Sequence, residues 1–96
     1  MSTAIDTLLT STPEIRHGRP CISGTGISVH RIAILHNLGH SIEDIVRKYE
    51  HLTSAGVHAA LAYYFANKQQ VDSEIATDEA AAEEIEKEFL DRQQVA

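Results

Sequence analysis

Tryptophan is missing from this 96-residue chain, and aromatic residues make up only 5% of it. Its core must therefore be built from Ile, Leu, Val and Ala. Cysteine occurs once, at Cys21, which excludes an internal disulfide framework and suits a reducing cytosol. Long apolar runs are also missing. The longest unbroken one, residues 59–66, is far too short for a transmembrane helix. The start of the chain has no basic leader of the secretory kind, so a cytoplasmic location is expected. Positive charge is scarce, with 8 Lys and Arg against 14 Asp and Glu and a net charge of −6. That balance argues against indiscriminate coating of polyanions. A chain this short has room for one domain and at most one appendage, which excludes a two-domain enzyme, a doubly wound sheet or a barrel.

What is present is unevenly distributed. Residues 1–71 hold six basic and five acidic residues, a net +1, and all six histidines. Residues 72–96 hold nine acidic residues against Lys87 and Arg92, a net −7. The net negative charge thus belongs to the last quarter, either as a solvated helix or as an acidic interaction tail. Local composition changes as well. Residues 17–29 contain three glycines and a proline, with Ile22, Ile27 and Val29 between them. No helix tolerates that density, so short extended pieces joined by turns are expected.

From Val29 the apolar period becomes helical. Ile32, Ile34, Leu35 and Leu38 form a first helix that Gly39 terminates. Ser41 and Asp44 have capping-box spacing ahead of a second helix over residues 42–49, which buries Ile42, Ile45, Val46 and Tyr49. Thr53 is the expected N-cap of a third, which buries Val57, Leu61, Tyr64 and Phe65. Three helices with such short turns cannot form a long antiparallel bundle. They predict a mainly α fold with a compact trihelical helix-turn-helix unit. The division is residues 1–28 as an extended segment offering strands to a dimer, 29–69 as the helix-turn-helix, and 70–96 as an acidic amphipathic helix. In that last segment Ile75, Ala82, Ile85 and Phe89 make a narrow apolar seam. Glu83 with Lys87, and Glu88 with Arg92, are favourably ordered pairs four residues apart. So little apolar surface leaves the helix in need of a partner: its own domain, a second copy or another protein.

Gly18, Arg19, Pro20, Cys21, Ile22, Ser23, Gly24, Thr25, Gly26, Ile27, Ser28 and Val29 carry a resemblance. With the continuation through Leu38-Gly39, Ser41 to Ile45, Tyr49 and Leu52-Thr53, this segment resembles a small bacterial family, domain of unknown function four-thirty-three. The likeness runs from about Leu8 to Tyr64, in order and spacing. It implies a homeodomain-like helix-turn-helix. It also implies the antitoxin of a type II toxin–antitoxin pair, whose usual toxin is a PIN-like ribonuclease. Such antitoxins bind operator DNA as dimers and neutralise the toxin with a separate segment. The family usually has Arg after its Gly-Thr, where this chain has Gly26.

On that reading Arg31, Arg47 and Lys48 are the candidates for phosphate contacts, and Thr53, Ser54 and His58 lie at the start of the recognition helix. No Arg or Asn there offers a bidentate base contact. The candidates for toxin binding are Ile75, Glu79, Ala82, Ile85, Glu86 and Phe89, an apolar seam with carboxylates suited to an electropositive nuclease groove. No catalytic, cofactor or metal site is expected. The glycines lack a phosphate-loop spacing, His36 and His40 are divided by the helix stop at Gly39, and Cys21 has no neighbouring base. The competing reading is a free-standing DNA-binding transcriptional regulator whose C-terminal helix only dimerises it.

Overall fold

The structure, a computed structural model, describes residues 5–14 and 18–94. The described residues form four α-helices and one two-stranded antiparallel sheet. A 3-10 turn over Ile5–Leu8 leads into β1, Leu9–Thr10, which pairs with β2, Cys21–Ile22. The register sets Leu9 opposite Ile22 and Thr10 opposite Cys21, so the two strands pair within one chain. The glycine-rich segment folds back tightly. The Ile22 N–H donates to the Ile27 carbonyl at 2.8 Å, and the Val29 N–H to the Pro20 carbonyl at 3.1 Å. Gly26 sits in this turn at φ +72°, a conformation open to glycine and strained for any L side chain. That is a local physical reason for glycine at this position.

Helix α1 spans Val29–Asn37, α2 Ile42–Lys48, α3 Ser54–Ala66 and α4 Lys68–Gln94. The caps are where local sequence places them. The Ser28, Ser41 and Thr53 hydroxyls accept from the N–H groups of Arg31, Asp44 and Gly56. At Ser41 the reciprocal bond from its own N–H to Asp44 completes the capping box. Gly39 turns at φ +96° after α1, while the His40 N–H reaches back to the Leu35 carbonyl. Tyr49 caps α2 in an extended conformation instead of continuing it.

The core lies where α3 crosses α1 and α2, with Ile22 closing one side. Ile32, Ile45, Val57, Ala60 and Tyr64 are fully buried there. Two large apolar residues of the expected helices, Phe65 and Leu38, lie outside the core. Phe65 is 55% exposed and packs edge-on to His36, with ring centroids 5.5 Å apart. The inward stripe of α3 is centred on Val57, Ala60, Leu61 and Tyr64, and Phe65 lies about 100° round the helix from the buried Tyr64, on the outer side of Leu61. Leu38 is 71% exposed because it caps α1 after the helix has left the core.

Helix α4 begins at Lys68, two residues before the expected boundary, separated from α3 by Asn67 alone. It is not an appendage along its whole length. Val71 is fully buried in the common core, and Ile75 packs against it. A helix of 27 residues is about 40 Å long, so α4 runs well past a small body, and the molecule measures 65 × 29 × 24 Å. No described helix is long and apolar enough to cross a membrane.

Candidate interaction surfaces

Two joints fix α4 to the body. At the first, the buried Tyr64 hydroxyl donates to Asp72 Oδ1 at 2.6 Å and accepts from Asn37 Nδ2 at 3.0 Å. Lys68 Nζ lies 2.7 Å from the other Asp72 oxygen. The Lys68 ammonium, and then the Tyr64 hydroxyl, hold the Asp72 carboxyl below its ordinary value. At the second joint, His30 Nε2 is 3.0 Å from Glu74 Oε1. Arg19 Nη1 donates to Asp78 Oδ2 at 2.6 Å, and Arg19 Nε lies 3.9 Å from Glu74. The hydrogen bond to Asp78 raises the Arg19 pKa further, opposed by desolvation. Arg19 therefore serves this joint.

Sequence reasoning missed the second joint. His30 is only 5% exposed, and its buried Nδ1 has no hydrogen-bond partner among the described residues. One signal was available: His30 stands three residues before the buried Ala33, and Glu74 with Asp78 are four apart on the stripe of Val71 and Ile75.

The residues expected to touch DNA are exposed, but several polar groups are already engaged. Arg47 Nη2 donates to Asp44 Oδ1 at 2.7 Å, and the pairing with Arg47 is the main cause that lowers the Asp44 pKa. The Thr53 hydroxyl is committed to its cap. His58 Nδ1 donates to the Ser54 carbonyl at 2.8 Å and lies 3.3 Å from the Ser54 hydroxyl. Lys48 stands exposed at the end of α2. Arg31 lines a hollow with Gly26, Ile27, Ser28 and Tyr49, whereas His58 lines a separate apolar one with Leu8, Ala55, Ala59 and Ala62. Arg31 and His58 thus serve different hollows.

The proposed toxin-binding residues divide. Ile75 is turned into the body. Glu79, Ala82, Ile85, Glu86 and Phe89 are all exposed, with Ile85 at 67% and Phe89 at 58%. Neither Glu83–Lys87 nor Glu88–Arg92 is among the ion pairs of the described residues. Fully solvated side chains gain little from pairing. Among the described residues no group of three His, Cys, Asp or Glu could hold a metal ion.

No curated protein matches this chain. A solved structure does: a DUF433 member protein from Anabaena variabilis ATCC 29413 superposes with a TM-score of 0.68 at 29% identity, over 75% of this chain and 71% of that one. The profile of a family described as "Protein of unknown function (DUF433)" matches residues 9–64, from the first residue of β1 to the buried Tyr64. More than half of the sequence lies in that match, and the protein belongs to the DUF433 family.

Proposed function

We propose that this protein is a non-enzymatic antitoxin. Its body is a homeodomain-like helix-turn-helix that binds operator DNA as a dimer, and its α4 neutralises a PIN-like ribonuclease. The observation that carries this reading is the change in character along α4. Its first turns are built into the core, while its acidic end extends beyond the body with an uncovered apolar seam at Ile85 and Phe89. A nuclease binds phosphates in an electropositive or metal-bearing groove, and a carboxylate-rich helix complements that field. Three short helices with α3 packed across α1 and α2 support the helix-turn-helix assignment. Among the described residues Arg31, Lys48, Ser54 and His58 are exposed and suited to DNA contact, and with a body of only +1 the affinity rests on these local contacts rather than on overall charge.

Co-expression with the product of the adjacent open reading frame, followed by capture through a tag on this chain, tests the proposal. A stoichiometric complex that rescues growth from that product supports it. A harmless neighbour with no complex would overturn the antitoxin role and leave the regulator. Mobility shifts of promoter DNA at low salt test the DNA role separately, and the absence of any shift would remove it.

A further inference from the structure

Val71, Ile75, Asp78, Ala82, Ile85 and Phe89 follow one another at intervals of four, three, four, three and four residues. The spacing is that of the a and d positions of a heptad, with Asp78 as its one charged member. The body covers its first half: Val71 is fully buried, Ile75 packs on the core, and Asp78 is held by Arg19. Past Asp78 the same stripe continues through Ala82, Ile85 and Phe89, all exposed. Leu90, also exposed, lies one residue and about 100° beyond Phe89, outside the seam.

The geometry points to a two-helix, coiled-coil-type contact between the distal half of α4 and a helix of a different protein, whose flanking positions are Lys or Arg. This deepens the antitoxin reading, on which it rests for the existence of a partner, by naming the chemistry of the partner's surface. Charge selects that occupant. Beside the uncovered seam stand Glu79 and Glu86 on one flank, Ala81 and Glu88 on the other. Residues 79–92 carry six carboxylates against Lys87 and Arg92, a net −4. Flanking charges set partner choice in coiled coils. In a second copy, neither a parallel nor an antiparallel pairing brings opposite charges together across these flanks, because each is Glu or Ala. An antiparallel pair centred on the seam would set Glu86 against Glu86. Two acidic helices joined by so short a seam are a poor homodimer, whereas a basic helix satisfies both the apolar stripe and its rims.

The probe is a synthetic three-heptad helix with Ile and Leu in its seam and Lys on both flanks. It is titrated against the full chain beside a twin carrying Glu on the flanks. The Lys peptide is expected to bind at least about tenfold more tightly, with a preference that shrinks as salt is raised. Ile85→Ser with Phe89→Ser should abolish that binding, and Leu90→Ser should leave it unchanged; all three sites are exposed, so the fold survives. Equal binding of the two peptides, indifference to the double substitution, or sedimentation showing self-association through Ile85 and Phe89 would each overturn the inference. Lys-peptide preference without capture of the neighbouring gene product counts against the antitoxin reading alone. Capture without that preference counts against this inference alone.

Discussion

His30 Nε2 and Glu74 Oε1 meet at 3.0 Å across 44 positions of sequence, and this contact ties α1 to α4. A carboxylate accepts, so the Nε2 of the neutral ring carries the proton and Nδ1 presents a lone pair to a buried space where no described residue offers a donor. The imidazole is anchored from one side only.

That asymmetry predicts unequal costs. Glu74→Ala removes the hydrogen-bond partner of Nε2 from a ring whose Nδ1 is already unpaired among the described residues, and should cost about 1–3 kcal/mol. His30→Leu removes both nitrogens and keeps apolar volume, so its cost should be less than half of that. Urea unfolding of the two variants measures the difference; a larger loss in His30→Leu would show that ring packing, not the hydrogen bond, holds the joint.

Gly56 offers a test of packing against propensity. A Cβ there would lie 2.7 Å from Ile22 Cγ2 and 3.3 Å from Thr53 Oγ1. Alanine in a helix interior normally gains about 1 kcal/mol over glycine. Overpacking against the buried Ile22 costs about 1–3 kcal/mol. Gly56→Ala should therefore unfold at lower urea than the parent protein, and a raised midpoint would mean that Ile22 yields freely.

Truncation locates the end of the body. A chain cut after residue 80 keeps Val71, Asp72, Glu74, Ile75 and Asp78, and should melt within about 2 °C of the parent. Cutting after residue 71 removes both joints. Even a loss of about 1 kcal/mol would lower its midpoint by about 4–8 °C. Similar melting of the two truncated chains would place the boundary at the start of α4.

Acid should loosen the first joint. The Asp72 carboxyl is held below its ordinary value of 3.8 by Lys68 and Tyr64. A carboxyl with a depressed folded-state pKa contributes stability that is present above its unfolded value and lost as pH falls through its folded one. Urea midpoints followed downward from about pH 5 should therefore fall less steeply in Asp72→Asn than in the parent. Asp44, lowered by Arg47 and Ser41, gives the same sign and will remain as background. Parallel profiles would show that Asp72 titrates unperturbed.

The sequence by itself determined what neighbouring residues settle among themselves. Ser41 with Asp44, Thr53 ahead of Gly56 and Gly39 after α1 act within a few positions, so the starts of α2 and α3 and the end of α1 were legible. The glycine-rich turns were legible for the same reason, since φ near +75° at Gly24 and Gly26 is a local property of the backbone. The charge division and the distal seam of α4 needed only counting and periodicity. Tertiary structure alone decided which stripe of each helix faces inward. It left Phe65 beside His36, drew Val71 and Ile75 into the core, and joined His30 and Arg19 to carboxylates from the acidic segment. Those partners lie 44 and 59 residues apart. Their meeting depends on the angle at which α4 leaves Asn67, which no run of neighbouring residues encodes. Helical periodicity identifies a face but not what covers it, so one stripe on α4 is buried by the body at Val71 and Ile75 and exposed at Ile85 and Phe89.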